Sequence, residues 1–549
     1  MSESSNQKVK RSFIAGSLTS SAGIFVSKAI GLFYITPFTA LASQENKVYY
    51  TSAYNYYNVL LQICSAGLPF AIAAIVAKYA EKDDYKTVLL VRKLSTGMLG
   101  VFGFLMMMLF AVFSGPLAAD SLGAGASAQS LEYMQTSFRI LSLALFLVPL
   151  LYSYRGFYQG LKDLKTYADS QVIEQFTRVF SLLGLGWICV HVLHLDRIWA
   201  VYMGVAATSI AAIVALLYYI RYDRRQIGAI RRKAREQEAE PMDHKLLMKE
   251  LLAFGLPYLI SSIFGNSQSL INTRFMIPTL TGFGMSQKDA QLLYSIVQLD
   301  CDKLTSIPQV LSIGFSAGIV PYMTVSFENK DWKGLQKNIQ ACLDTVCYIA
   351  LPVCFTMFAL AEPIYYIMYG STNMEYARVS LEWSALLALC TTLTPICSTM
   401  MMTLHLRKES IFYLFVGFVV KCAAFYPLIK YTGYTGAITS SILCSLCIIY
   451  LSLAKISNKY HVRYKRSIVR FFKMIIACLC MNGGYAALKF AGLAIPETSR
   501  ILALLWLMVY GIVGMSIYFF AAERMKLTKA VFHASLKTLI RRYLRRKEK

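Results

Sequence analysis

Charged side chains are scarce in this sequence. Only 15% of its 549 residues are Asp, Glu, Lys or Arg, and 56% are hydrophobic. A mean hydropathy of +0.49 is rare for a soluble chain. Apolar runs of about 18 residues or more recur, and each is long enough to cross a bilayer as a helix. Because the alternating segments of an outer-membrane barrel are missing, we predict an all-α, polytopic membrane protein.

The sequence also lacks the motifs that carry covalent chemistry. It contains no Walker motif, nucleophile elbow, HExxH pair or dinucleotide-binding fingerprint. Cys444 and Cys447 have the spacing of metal ligands, but neither a second cysteine pair nor a nearby His accompanies them. We therefore expect a protein that is not an enzyme, with no catalytic residues, no metal and no cofactor.

Acidic residues are few: the chain has 30 Asp and Glu against 55 Lys and Arg, a net charge of +25. The basic residues flank the apolar runs, so they indicate orientation in the membrane and no nucleic acid partner. Roughly forty Lys and Arg fall in the termini and the connections on the same side, against six on the other side. The positive-inside rule then predicts that both termini lie in the cytoplasm. The six are Lys47, Arg197, Lys288, Arg378, Lys430 and Arg500.

Fourteen transmembrane helices are predicted from the apolar runs. The predicted spans are 13–41, 51–78, 94–118, 134–156, 168–192, 198–220, 250–279, 292–327, 338–360, 379–404, 411–429, 433–455, 468–490 and 500–521.

Internal repetition divides these spans into two six-helix lobes plus two extra C-terminal helices. Pro149 precedes a connecting lysine, and Arg178 follows that lysine by thirteen residues in span five; Pro395 and Lys421 stand in the same relation around span eleven. Six spans is an even number, so the lobes share one orientation, related by a parallel pseudo-two-fold axis along the membrane normal. The predicted domains are an N-terminal lobe (1–220), a basic cytoplasmic linker (221–249), a C-terminal lobe (250–455), spans thirteen and fourteen (456–521) and a basic cytoplasmic tail (522–549).

Charges inside the spans are the candidate binding residues. Asp300, Asp302 and Lys303 lie within span eight, followed by Pro308, which invites a kink. A charge near the bilayer centre costs roughly 2.5–3.5 kcal/mol, so three charges in four residues should face a polar interior. Lys28 lies about sixteen residues into span one, roughly 24 Å along the helix, where snorkelling is hard.

Each of these charges has a structural and a functional interpretation. Lys303 shares a helical face with Asp300, so the two form a local ion pair or present an ammonium to a phosphate. Lys28 either pairs with a carboxylate or snorkels, or it lines a central cavity. Glu174 and Arg178 form an i,i+4 pair in span five, for which a structural role is favoured. Lys421 has no such partner in its own helix, so we expect it to pair across helices.

Three stretches resemble a known family. The run from Arg155 to Gly160 (RGFYQG) and the run from Ser170 to Gln175 (SQVIEQ), followed by Arg178, resemble the polysaccharide-biosynthesis branch of the multidrug/oligosaccharidyl-lipid/polysaccharide (MOP) exporter superfamily. The likeness extends to Gram-positive lipid II flippases and stage V sporulation protein B-like proteins. The run SKAIGL, which contains Lys28, resembles the family's first-helix motif with Lys in place of Arg. Asp302-Lys303-Leu304 followed by Pro308 resembles the flippases' Asp-Arg-Leu-x-x-x-Pro, again with Lys for Arg.

This resemblance implies a function. In the family, the basic residues of the two last motifs line a central cavity and meet a lipid-linked pyrophosphate. The lobes rock between inward-open and outward-open states, and spans thirteen and fourteen form a groove for the polyprenyl tail. The expected protein is a monomeric flippase whose partners are a lipid-linked glycan and membrane lipids, with Lys28, Lys303, Asp302, Asp300, Arg178, Glu174 and Lys421 as the substrate-binding candidates. The alternative is a cation-coupled multidrug or small-molecule antiporter on the same fold.

The resemblance also bears on energy coupling. Relatives with a described sodium site place acidic groups on helices seven and eleven of the second lobe. Span seven here offers only Glu250 at its edge and the neutral Asn272, and span eleven contains Lys421 but no carboxylate. Because an ammonium repels Na⁺, we predict that this protein does not use a sodium site there.

Overall fold

The computed structural model describes residues 30–31, 34–65, 68–123, 125–238, 240–309, 323, 326–327, 329–371, 373–496 and 498–532. Within these ranges the chain is helical, with no β-strand. Lys28, the predicted repeat segment at 316–321 and the tail beyond residue 532 lie outside the described residues. The all-helical class predicted from the sequence is confirmed.

The helices are numbered in chain order. They are α1 (Ile35–Ala42), α2 (Lys47–Ser65), α3 (Leu68–Ala80), α4 (Tyr85–Val112), α5 (Ser114–Leu122), α6 (Ala128–Gly160), α7 (Leu164–Trp187), α8 (Ile198–Glu236), α9 (His244–Gly265), α10 (Ser267–Gly282), α11 (Gln287–Ser295), α12 (Trp332–Ala359), α13 (Ala361–Tyr369), α14 (Met374–Thr403), α15 (Arg407–Thr432), α16 (Thr435–Tyr460), α17 (Lys465–Phe490), α18 (Arg500–Arg524) and α19 (Leu527–Phe532). Two π-helical turns, Ile188–Val192 and Ile296–Cys301, follow α7 and α11.

Ten helical segments are long and apolar enough to cross a membrane, counted over the described residues. They correspond to predicted spans three to six and nine to fourteen. Predicted spans one and eight extend into undescribed residues, and residues 66–67 within span two are also undescribed. Span seven is interrupted at Asn266, which separates α9 from α10 and whose side-chain amide donates to the Ser262 carbonyl at 2.8 Å. The count of fourteen therefore stays a prediction.

The chain divides into two compact units, residues 1–298 and 299–549. This division differs from the predicted lobe boundary at 221–249, because α9 to α11 bind helices of the first predicted lobe. Ser262 donates to Gln62 Oε1 at 2.6 Å, and Lys78 pairs with Glu250 at 2.6 Å. Tyr294 on α11 accepts a hydrogen bond at its hydroxyl oxygen from Nδ2 of Asn55 on α2, at 3.0 Å. The two six-helix lobes remain a prediction, because the division into compact units does not show which helices move together during transport.

The predicted linker is largely helical. α8 continues from span six through Glu236, well into the range 221–249 that we expected to connect the lobes. The reason is a buried stripe at helical spacing, formed by Asp223, Ile227 and Ala234, on the face opposite the exposed arginines. Ile227 belongs to the core of the first unit. The basic segment is thus held against this unit by apolar packing and by the ion pair between Asp223 and Arg92 at 2.5 Å.

In the second unit, α17 and α18 pack on α12. Met474, Cys478 and Met481 of α17 join Tyr348 of α12 in one buried core. Tyr518 of α18 adds a hydrogen bond, its hydroxyl donating to the Tyr348 carbonyl at 2.8 Å. The two extra helices are therefore anchored by core residues to this unit.

Candidate functional site

The first unit contains a buried cluster of two arginines and one glutamate. Arg155 on α6 places Nη2 2.8 Å from Glu174 Oε2 on α7, and Arg178 on α7 bonds the other carboxylate oxygen of Glu174. Arg155 Nε donates to Ser170 Oγ at 3.1 Å, and Arg178 Nη1 donates to Gln175 Oε1 at 3.3 Å. Two guanidinium groups thus share one carboxylate, which leaves the cluster with a net charge of about +1.

Two glycines of the RGFYQG motif explain how this cluster is positioned. A Cβ on Gly156 would lie 2.7 Å from the Pro69 carbonyl oxygen, and one on Gly160 would lie 2.6 Å from Val76 Cβ. Only glycine allows α6 to approach α3 this closely. The close contact fixes α6 beside α3, while the adjacent Arg155 points toward α7. In this family motif, glycine sets the helix packing and arginine supplies the charge.

Aromatic side chains border the cluster. The Arg155 guanidinium lies 5.9 Å from the ring centroid of Tyr152, within the range of a cation–π contact. Tyr54 on α2 hydrogen-bonds Thr208 on α8. The Arg178 side chain is 22% exposed, against 6% for that of Arg155.

Lys421 lies on α15 of the second unit in a different setting. Its side chain is fully buried, and Nζ donates to Ala437 O, Ser440 Oγ and Ser441 Oγ of α16, each at 2.8 Å. The Phe425 ring lies 5.0 Å from Nζ. The prediction that Lys421 pairs across helices is confirmed, although the acceptors described here are neutral oxygens.

The three charged residues of span eight differ in how deeply they are buried. Asp300 lies in the π-helical turn Ile296–Cys301, is fully buried, and accepts a hydrogen bond from Tyr365 Oη at 2.7 Å. Tyr369 Oη also donates to the Asp300 carbonyl at 3.2 Å. Asp302 is exposed and Lys303 is half-buried. π-Helical turns are rare and concentrate at functional sites, because they offset the side chains on either side.

The structure thus brings together some candidates and not others. Glu174 and Arg178 form the predicted i,i+4 pair, and Arg155 joins them. Helical spacing does not predict Arg155 as a member of this cluster, because its partner Glu174 lies on another helix. Asp300 is held by Tyr365, while Asp302 and Lys303 are more accessible. Lys28 lies outside the described residues.

A comparison with protein families shows which family this chain belongs to. Residues 13–327, more than half of the chain, match the family described as "Polysaccharide biosynthesis protein". The chain belongs to this family. This member of the polysaccharide biosynthesis family is 25% identical over 473 residues to the lipid II flippase MurJ of Bacillus subtilis (strain 168), covering 85% of this chain and 87% of MurJ. It is 21% identical over 477 residues to stage V sporulation protein B of the same organism, covering 85% and 88%.

A solved structure supports the fold of this family member. Lipid II flippase MurJ in an inward closed conformation superposes with a TM-score of 0.66 at 13% identity, over 93% of this chain and 99% of MurJ. The protein is therefore a multi-pass protein of the bacterial cell membrane, and the resemblance of its motifs to the polysaccharide-biosynthesis branch is confirmed.

Proposed function

We propose that this protein moves a polyprenyl-pyrophosphate-linked precursor of the cell envelope, lipid II or a polysaccharide repeat unit, from the cytoplasmic to the outer leaflet. The observation that carries the proposal is the surplus of positive charge in the Arg155–Glu174–Arg178 cluster. A buried cationic surplus attracts an anionic headgroup and repels a cationic drug. The relatives support this direction, since one is described as a lipid II flippase.

The mechanism is alternating access between two lobes. A pyrophosphate and its sugars are too polar to cross the hydrocarbon, whereas the prenyl tail stays in lipid. Lys28 and Lys303 bind the pyrophosphate, and Asp302 limits how strongly Lys303 holds it, so that the headgroup is released outside. Arg178 contributes to the same electrostatic attraction from the first unit. The acidic groups that a cation-coupled drug antiporter would need are outnumbered by cations in this cluster.

The test is flipping of a fluorescent polyprenyl-pyrophosphate glycan in proteoliposomes. Lys28→Ala and Lys303→Ala should each abolish flipping while the amount of folded protein stays unchanged, because the lost charge contacts substrate rather than the fold. Lys303→Arg should retain activity, since it restores the residue type of the family. The matched control is Lys430→Ala, which removes an exposed lysine from the end of α15.

Three outcomes contradict this proposal. Normal flipping by both alanine variants excludes the two lysines from the site. Loss of folded protein in both variants shows that the lysines serve local ion pairs. Transport of a cationic dye in place of the anionic lipid supports the antiporter alternative.

Orientation is tested separately by labelling single cysteines. Lys47, predicted to face outside, is fully buried, so it cannot report accessibility. Lys288 is a better reporter of the same side, because its side chain is 75% exposed. A cysteine at 288 should react from outside and one at Glu238 only after permeabilisation. Outside labelling at 238 overturns the proposed topology.

A further inference from the structure

A cavity of about 500 Å³ lies inside the second unit, between α12, α14, α16 and α17. Its volume falls within the roughly 300–1,000 Å³ of known ligand pockets. Most of its wall is apolar, with side chains such as Leu343, Leu393, Ile449 and Phe471. Polar side chains are contributed by the end of α16 and the start of α17. The cavity therefore suits an amphiphile with a hydrocarbon part and a polar part.

Two hydroxyl groups in the wall lack partners. Tyr464 Oη and Ser467 Oγ are buried atoms with no hydrogen-bond partner in the described part of the chain, and Ser467 as a residue is only 9% exposed. Both residues line the cavity. A buried hydroxyl without a partner costs free energy, of the order of 1–3 kcal/mol in mutational studies, so such groups are usually satisfied. Their presence beside an apolar cavity indicates a ligand that accepts hydrogen bonds.

The charge around these hydroxyls indicates the sign of that ligand. Asp344, the one carboxylate in the wall, is paired with Arg470. Beyond the cavity, the stretch from 455 to 473 contains no Asp or Glu. It exposes five basic residues, Lys459, Arg463, Lys465, Arg466 and Lys473. This stretch belongs to a predicted cytoplasmic connection, where anionic lipids attract basic segments by about 1 kcal/mol per residue.

We propose that this cavity binds an anionic glycerophospholipid of the cytoplasmic leaflet. One acyl chain occupies the apolar part, and the phosphate accepts hydrogen bonds from Tyr464 Oη and Ser467 Oγ. The exposed basic residues add long-range attraction to the headgroup. The cavity shares α17 with the groove that the family resemblance implies for the polyprenyl tail, but the proposed ligand is a membrane phospholipid and not the carried precursor.

The hydroxyls provide a sharp test, because removing them costs the empty protein no hydrogen bond. The double variant Tyr464→Phe, Ser467→Ala should fold as well as the wild type. Delipidated protein in detergent is titrated with dioleoyl-phosphatidylglycerol, and the number of bound lipids is counted by native mass spectrometry. Hydrogen bonds to a charged group are worth enough that their loss should weaken binding roughly tenfold or more. The matched control, Tyr431→Phe, removes an exposed hydroxyl from α15 and should change nothing.

Separate titrations show whether binding depends on the acyl chains, on the phosphate or on the net negative charge of the lipid. Dioleoyl-phosphatidylcholine has the same acyl chains, and inorganic phosphate has the anion without a chain, so both should bind much more weakly than phosphatidylglycerol. Equal binding of phosphatidylglycerol to the wild type and the double variant overturns the proposal. Equal binding of the neutral lipid to the wild type overturns the charge argument.

Discussion

Glu174 in the first unit and Lys421 in the second are both buried charges in predicted spans, yet their partners differ. Glu174 is neutralised by Arg155 and Arg178, and the cluster retains one extra positive charge. Lys421 is held by a carbonyl and two hydroxyls of α16. Those hydroxyls also donate to the Ala437 carbonyl, at 3.0 and 3.1 Å, so they remain bonded without the lysine. The comparison teaches that Glu174 is stabilised by counter-charges, whereas the described hydrogen-bond acceptors of Lys421 are neutral oxygens.

The largest effect should come from removing the shared carboxylate. Glu174→Gln leaves two buried guanidinium groups without a counter-charge, and breaking a buried pair in this way costs roughly 3–5 kcal/mol. Chemical denaturation in detergent micelles measures the loss. The control is Glu250→Gln, which breaks the more exposed pair with Lys78 and should cost less than about 1 kcal/mol. Similar losses for both variants would contradict the difference between buried and exposed pairs.

A smaller effect is expected at Lys421. Lys421→Met replaces the ammonium with an apolar chain of similar length, and the acceptors of α16 keep their mutual hydrogen bonds. The expected loss of stability is below about 2 kcal/mol, measured by the same denaturation. Lys430→Met, at the exposed end of α15, serves as the control. A loss of stability in Lys421→Met as large as that in Glu174→Gln would show that the hydrogen bonds among the α16 groups do not compensate for the missing ammonium.

The smallest loss of stability is expected at a half-buried acidic helix cap. Asp84 caps α4, accepting from the Thr87 amide at 3.0 Å and from Gln237 Nε2 at 2.8 Å. Burial raises the pKa of Asp84, but the hydrogen bonds from Thr87 and Gln237 together lower it by more. The pKa of Asp84 in the folded protein therefore lies below its usual value. Asp84→Ala should cost about 1 kcal/mol at neutral pH. Since the folded pKa is depressed, this contribution is present above about pH 4 and is lost as the pH falls through the folded pKa. A difference between Asp84→Ala and wild type that grows toward low pH would contradict this sign.

For sodium we expect no effect. If Lys421 supplies a fixed positive charge in the second unit, replacing Na⁺ with K⁺ at constant membrane potential should leave transport by reconstituted wild-type protein unchanged. The measurement is the rate of flipping of the fluorescent precursor in vesicles. A clear requirement for Na⁺, retained in Lys421→Met, would show that the lysine does not replace a mobile cation.

The sequence predicted local relationships better than distant ones. The pair between Glu174 and Arg178 follows from helical spacing, and the cross-helix role of Lys421 follows from the lack of a partner on its own helix. Arg155 was missed as a member of the cluster, because its contact with Glu174 depends on how α6 packs against α7. The π-helical turn that contains Asp300 leaves no mark in composition or periodicity. The hydrogen bond that Tyr365 donates to Asp300 in this turn is a tertiary contact, which the sequence pattern does not reveal either.

The boundaries of the fold were predictable only where apolar runs end cleanly. In the described part of the chain, ten predicted spans correspond to helical segments long and apolar enough to cross a membrane, whereas span seven is interrupted at Asn266 by a distortion that hydropathy does not register. The linker was expected to begin at residue 221, because charge density rises there. Burial of Ile227 and Ala234 continues the helix to Glu236, since packing outweighs the cost of a charged surface.

The length of α8 has a practical consequence for imaging this protein. At 1.5 Å per residue its 39 residues extend about 58 Å, nearly twice the thickness of the hydrocarbon core. Its end is held in place, as Gln237 binds Asp84 at 2.8 Å and Lys233 binds Tyr85 at 3.2 Å. A helical fusion partner joined in register after Glu236 would thus be carried as a rigid marker outside the bilayer. Single-particle microscopy could then align a 61.6 kDa chain that is otherwise almost hidden in its micelle.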